Sequence, residues 1–164
     1  MVKKKCKGIK MEEFFLKAFS DPEDLDFAKQ HNLIGLDFDK FLLKIIAYKK
    51  LEWANWLLCN LLHGDEKVKY ITYASEQIIN LSKNFLSEVS NEAKEYIKNP
   101  QILSLRNMQE SIIYASFIAG WHYKRSHRHL PIDIAFAGAH MAEVNMLIKI
   151  IKYGIKIIKK SEGK

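Results

Sequence analysis

The chain has 164 residues, 48% apolar and 12% aromatic, with only three prolines, seven glycines and a net charge of +7. That is enough apolar material for one core, so a fold that depends on disulfide or metal staples is excluded. The charge is unevenly placed: residues 1–10 carry five lysines and no acid, residues 120–164 carry nine Lys/Arg against three acids, and the stretch between is net acidic.

Hydrophobic periodicity is helical almost throughout. A short helix is expected over Met11–Phe19, after a flexible basic leader, residues 1–10. In "SDPEDLDFAKQ", Asp21 suits a helix N-cap, Pro22 the first helical position, and acids fill the first turn. Gly35 breaks the pattern, and Asp37 or Asp39 can cap the helix "DFDKFLLKIIAYKK". The same two aspartates sit at a spacing that a magnesium site could use, but alternate aspartates before an apolar helix are ordinary caps.

"LEWANWLLCNLL" reads as a helix whose polar residues Glu52, Asn55, Cys59 and His63 form one stripe. Trp53, Trp56 and Leu57 are core positions, and Asn55, if buried, needs hydrogen-bond partners and can fix how helices pair. Gly64 ends this helix. Asp65 caps the next, which runs to about Val89 with Val68, Ile71, Ala74, Ile78 and Leu81 on its apolar face. A short helix follows from Ser90 to Asn99, and Pro100 stops it.

The two longest helices come last, over about Gln101–Ser126 and Pro131–Lys160. In the second, Asn145, Lys149, Lys152, Lys156 and Lys159 form a polar stripe on an otherwise apolar cylinder. So apolar a helix is expected at the centre of a bundle or in an oligomer interface. The fold class expected is all-α: a single-domain bundle of about six or seven helices over residues 11–160, with a tail at 161–164.

Two cysteines, Cys6 and Cys59, give no disulfide framework and suggest a reducing compartment. The N-terminus lacks a signal-peptide core, and the apolar run Ile132–Ile148 is interrupted by Asp133, His140, Glu143 and Asn145. A cytoplasmic protein without a membrane segment is therefore expected.

No phosphate loop, nucleophile elbow, H-E-x-x-H or C-x-x-C motif occurs. Neither an enzyme nor a cofactor is expected. The turn "GWHYKRSHRHLP" between the two longest helices reads first as a solvated polar hinge, and as the candidate site if it is an anion-recognition surface. Its residues Tyr123, Lys124, Arg125, His127, Arg128 and His129, continued by Lys149, Lys152 and Lys156, form a basic face for a partner or nucleic acid. Trp121 is expected in the core. His122, His127, His129 and His140 have poor spacing for a metal, and the adjacent cations oppose one.

The stretch Lys50–Phe85, "KLEWANWLLCNLLHGDEKVKYITYASEQIINLSKNF", resembles a family of all-helical prokaryotic and phage proteins assigned as immunity proteins of toxin systems. Its members show a "WANWL" helix, here Trp53–Leu57, and then a helix like "YAIFAAEQVI", here Tyr70–Ile78. The chain departs from them in lacking an Arg-Pro-Arg segment and in using Ile, Phe and Lys in its last helices where they use Ala. The resemblance implies a small helical protein that works by binding, in a prokaryotic or phage setting. The expected function is thus a non-enzymatic inhibitor of a toxin or defence effector such as a nuclease. The alternative is a nucleic-acid-binding helical protein using the basic face, and a homodimer is open. The acidic segment 21–39 is a second candidate contact for a basic partner.

Overall fold

A computed structural model of the chain describes residues 21–82, 91, 94, 95, 98 and 105–162. The expected helix at 11–19, the basic leader, and the ends expected at Val89, Ser90, Pro100 and Gln101 lie outside the described residues. The protein is all-α. Six helices are α1 (Pro22–Gln30), α2 (Phe38–Ala47), α3 (Leu51–Leu61), α4 (Gly64–Ser82), α5 (Leu105–Ser126) and α6 (Ile132–Glu162), and no strand occurs among the described residues. They fall into two compact units, residues 21–50 with Glu162, and residues 51–161.

The first unit is set by its caps. The Asp21 carboxylate accepts from the Glu23 N–H at 3.0 Å, with Pro22 in the first turn. Asp37, not Asp39, caps α2: its Oδ1 accepts from the Lys40 N–H at 2.9 Å, and its carboxyl is held below the usual range first by that bond, then by the Lys40 ammonium. The aspartate pair is thus explained by helix initiation. Between the two helices Gly35 takes φ +82°, a left-handed conformation that costs other residues strain. Phe27, His31 and Tyr48 form an aromatic cluster with centroids 4.2–5.7 Å apart, and Lys50 reaches back over Phe27 to meet Asp24 at 3.4 Å. Phe38, Phe41, Leu42 and Ile45 of α2 are buried.

The second unit is built around α5. Its buried face, Ile112, Ala115, Ile118 and Ala119, belongs to a helix that packs along α4 and touches α3. Small side chains at Ser111, Ala115, Ser116 and Ala119 allow that close approach. On α4, Tyr70, Ile71, Ala74 and Ile78 are buried, while Lys69, Glu76 and Asn80 face out, as the periodicity requires.

The polar stripe expected on α3 is exposed at its ends and buried in its middle. Glu52 and His63 are exposed, but Asn55 and Cys59 are buried. Asn55 is a junction: its Oδ1 accepts from the Tyr70 hydroxyl at 3.4 Å and the Cys59 thiol at 3.5 Å, and its Nδ2 donates to the Gln109 carbonyl at 3.4 Å. One amide thereby ties α3 to α4 and α5, which makes its burial tolerable. Burial pushes the Cys59 thiol up to about 12, against a smaller opposing pull from Lys67, and drives the Tyr70 hydroxyl well above its ordinary value.

The expectation of a central last helix holds for only part of α6. From Leu147 onward one apolar face is covered: Ile150 and Ile151 are inaccessible, Leu147 and Ile158 nearly so, and Ile148, Ile155 and Ile157 are half-buried. Gly154 lies against the Tyr70 ring, where a Cβ would come within 2.7 Å of Cε2. Tyr153 stacks on Tyr73 at 4.0 Å. Before Leu147 the helix is largely uncovered, with Ile132 75%, Ile134 51%, Phe136 55% and Met141 53% exposed. The difference follows the contacts: Tyr70, Tyr73 and Gln77 of α4 and Leu58 of α3 meet the later turns, whereas Gly120 and Tyr123 of α5 meet Glu143 and Gly138 of the earlier ones. By length and composition Ile132–Ser161 could cross a bilayer, but the same test is passed by soluble core helices.

Candidate functional site at the α5–α6 hairpin

The nine candidate residues separate into four groups. Tyr123, His127 and Lys149 line one groove. Lys124 and Arg125 lie over aromatic rings, and Arg128 and His129 project from the turn. Lys152 and Lys156 continue from Lys149 along α6, and with Asn145 and Lys159 they form the expected exposed row.

Two close contacts set the hairpin. Glu143 of α6 lies against Gly120 of α5, where a Cβ would fall 2.6 Å from its Cγ. Reciprocally, the Tyr123 ring occupies the space that a Cβ on Gly138 would need. The chain leaves α5 through His127, whose backbone N–H donates to the Tyr123 carbonyl at 3.0 Å. The His127 ring nitrogen Nδ1 sits 2.9 Å from the same oxygen. A carbonyl only accepts, so Nδ1 carries the proton and Nε2 is the nitrogen left to meet a ligand. The His127 ring also stacks on Tyr123, 4.1 Å between centroids and 16° from parallel.

The cations of the turn are partly pre-oriented. The Lys124 ammonium lies 3.7 Å from the Phe136 centroid, and the Arg125 guanidinium carbon 5.3 Å from Trp121. Trp121 is not in the core: it is 37% exposed and continues a row with Tyr114 and Phe117, also exposed. Spacings of four and three place these rings on the side of α5 opposite Ile112, Ala115 and Ala119, so α4 cannot cover them. The histidines do not converge as a set. His127 and His129 have centroids 6.1 Å apart, His122 lines the groove, and His140 is exposed, 4.0 Å from Glu143. No group of three or more His, Cys, Asp or Glu that could hold a metal occurs among the described residues.

The groove has a volume of about 320 Å³ and is lined by Leu81, Ala119, His122, Tyr123, Ser126, His127, Ala142, Asn145, Met146 and Lys149. Sequence reasoning missed its apolar half. The signal present was the pair of alanines, Ala119 and Ala142, whose small side chains leave room between the helices. Lys149 is held from beneath: its ammonium donates to Gln77 Oε1 at 2.8 Å, while Gln77, itself buried, donates through Nε2 to the Tyr73 carbonyl at 3.2 Å.

In the acidic segment 21–39, Asp24, Asp26 and Asp37 each pair with a lysine, Lys50, Lys29 and Lys40. That pairing blunts it as a surface for a basic partner. Compared with known proteins, the chain matches no family model, no curated protein and no solved structure.

Proposed function

We propose that the chain is a non-enzymatic protein-binding module, an immunity-like or phage anti-defence inhibitor that neutralises a toxin or nuclease effector in the cytoplasm. One observation carries the binding role. The α5–α6 hairpin exposes Tyr114, Phe117, Trp121, Ile132, Ile134, Phe136 and Met141, with Lys124, Arg125 and Arg128 beside them. Aromatic rings, methionine and arginine are the side chains enriched where protein partners bury their contacts. Single exposed apolar residues are ordinary, but on α5 Tyr114, Phe117 and Trp121 share one side of the helix, and on α6 Ile132 and Phe136 share another, so each row loses free energy by staying wet. The cations favour a partner with acidic groups around an apolar centre. The toxin-system assignment rests on the Trp53–Leu57 and Tyr70–Ile78 resemblance. Within those segments Trp53, Leu57 and Tyr70 are buried, so the likeness speaks for a shared scaffold and the hairpin supplies the contact.

The test is paired capture from a prokaryotic lysate with wild-type protein and the double variant Trp121→Ala, Phe136→Ser. A protein retained by the wild type and lost from an equally folded variant supports the hairpin as the contact. Equal retention by both removes it.

The exposed row Lys149, Lys152, Lys156 and Lys159 favours a second reading, nucleic-acid binding by phosphate contact. Labelled DNA and RNA titrated at about 50 and 200 mM salt decide it, because phosphate contacts collapse over that range. Binding that falls steeply, and less steeply in Lys152→Gln, Lys156→Gln, supports this reading. No binding at low salt eliminates it.

A further inference from the structure

We propose that the groove between α5 and α6 is a binding site for a small amphipathic organic carboxylate, its apolar body on Tyr123 and Met146 and its head at the Lys149 ammonium. The proposal is independent of the protein-binding role.

The size is right. About 320 Å³ lies at the lower end of small-molecule sites, roughly 300–1,000 Å³. The lining divides by chemistry. Leu81, Ala119, Ala142, Met146 and the Tyr123 ring give an apolar trough, and His122, His127, Asn145 and Lys149 supply polar groups at its margin. None of the described lining residues is an acid. The nearest acid along α6, Glu143, is turned onto Gly120 with His140 4.0 Å away.

The head group is selected by how Lys149 is held. A lysine on a helix surface ordinarily ranges through many rotamers. Here the buried Gln77, itself anchored by the Tyr73 carbonyl, takes one N–H of the ammonium. The remaining N–H groups are left for a ligand, and the ordering cost of the side chain is met before the ligand arrives. The end of α5 bears the partial negative charge of a helix C-terminus, which would repel an anion. His127 covers it: Nδ1–H caps the Tyr123 carbonyl while the ring lies flat on Tyr123. The stacked pair also provides a planar wall, which suits a flat body.

The experiment uses the full chain, labelled with 13C at methionine and alanine methyls, and 2-naphthoate as probe. Its neutral counterpart, 2-naphthylmethanol, is titrated alongside, as is inorganic phosphate. The expected result is saturable movement of the Met146 and Ala142 methyl signals with 2-naphthoate. Affinity for the neutral alcohol should be about tenfold weaker, the worth of one hydrogen bond to a charged group. Phosphate, which lacks the apolar body, should not shift those methyls. Lys149→Met, a substitution at an exposed position, should reduce 2-naphthoate binding by a similar factor and leave the alcohol unchanged. Ala142→Leu should block both naphthalene probes. Equal affinity for acid and alcohol overturns the proposal, as does undiminished binding to a folded Lys149→Met or the absence of saturable shifts.

Discussion

Both parts of α6 are rich in large apolar residues, and they have opposite fates. In the later part, Ile150, Ile151 and Ile158 are buried and Gly154 lets Tyr70 press against the backbone. In the first part, Ile132, Ile134, Phe136 and Met141 stand largely in solvent. Hydrophobicity alone therefore does not tell whether a helix stabilises its own fold or offers itself to another surface. What differs among the described residues is the neighbour: α4 and Leu58 of α3 back the later turns, and the end of α5 meets the earlier ones.

The largest expected effect tests that contrast directly. Ile150→Ala should cost about 2–5 kcal/mol of unfolding free energy in urea, the usual range for an inaccessible isoleucine. The equivalent change at Ile134 should stay within roughly 0.5 kcal/mol. Equal losses at the two positions would break the comparison. Next, Gly154→Ala should destabilise by about 1–3 kcal/mol, because overpacking against Tyr70 and Leu58 outweighs the helix propensity gained. A neutral or stabilising result would mean that the ring can retreat.

Beneath the same contact, the Asn55 junction carries a pH signature. The Cys59 thiol is pushed up from 9.0 to about 12 by burial, so its contribution is whole below about pH 9 and is lost as pH rises toward 12. By pH 10.5 stability should have fallen by about 2 kcal/mol on this account. Tyr70, also raised, adds to the fall at higher pH. Unfolding curves of wild type and Cys59→Ala between pH 8 and 10.5 check this, and the variant's slope should be shallower. In a Cys6→Ser background the remaining thiol should resist alkylation until the protein unfolds. The smallest effect belongs to the exposed part of α6. Phe136→Ser should change the unfolding free energy by less than roughly 0.5 kcal/mol, so any loss of partner capture in that variant reads contact rather than folding.

Much of the scaffold was legible in the sequence because helix signals are local. Asp21, Pro22 and Asp37 start their helices where cap chemistry places them, and the apolar periods of α2 and α4 name their buried faces. The errors arose where the answer depended on a distant element. Trp121 read as core because it lies on the apolar side of its helix, yet it sits on the side of α5 away from α4 and is partly exposed. For Asn55 the sequence left burial open and named its condition, hydrogen-bond partners, but not which groups supply them: Tyr70 and the Gln109 carbonyl come from other helices. At the site, the basic turn could be found from charge alone. The groove could not, since the bond that orients Lys149 comes from Gln77, 72 residues earlier.

The two glycine contacts of the hairpin are reciprocal: α5 offers Gly120 to Glu143, and α6 offers Gly138 to Tyr123. Each glycine is followed on its own helix by the bulky residue that fills the other's gap, Tyr123 after Gly120 and Glu143 after Gly138. A substitution at either glycine therefore calls for a compensating change on the opposite helix. In any descendant of this fold the four positions should drift as two linked pairs, Gly120 with Glu143 and Gly138 with Tyr123. That pairing is an evolutionary signature by which distant kin could be identified even after the surface residues have diverged beyond recognition.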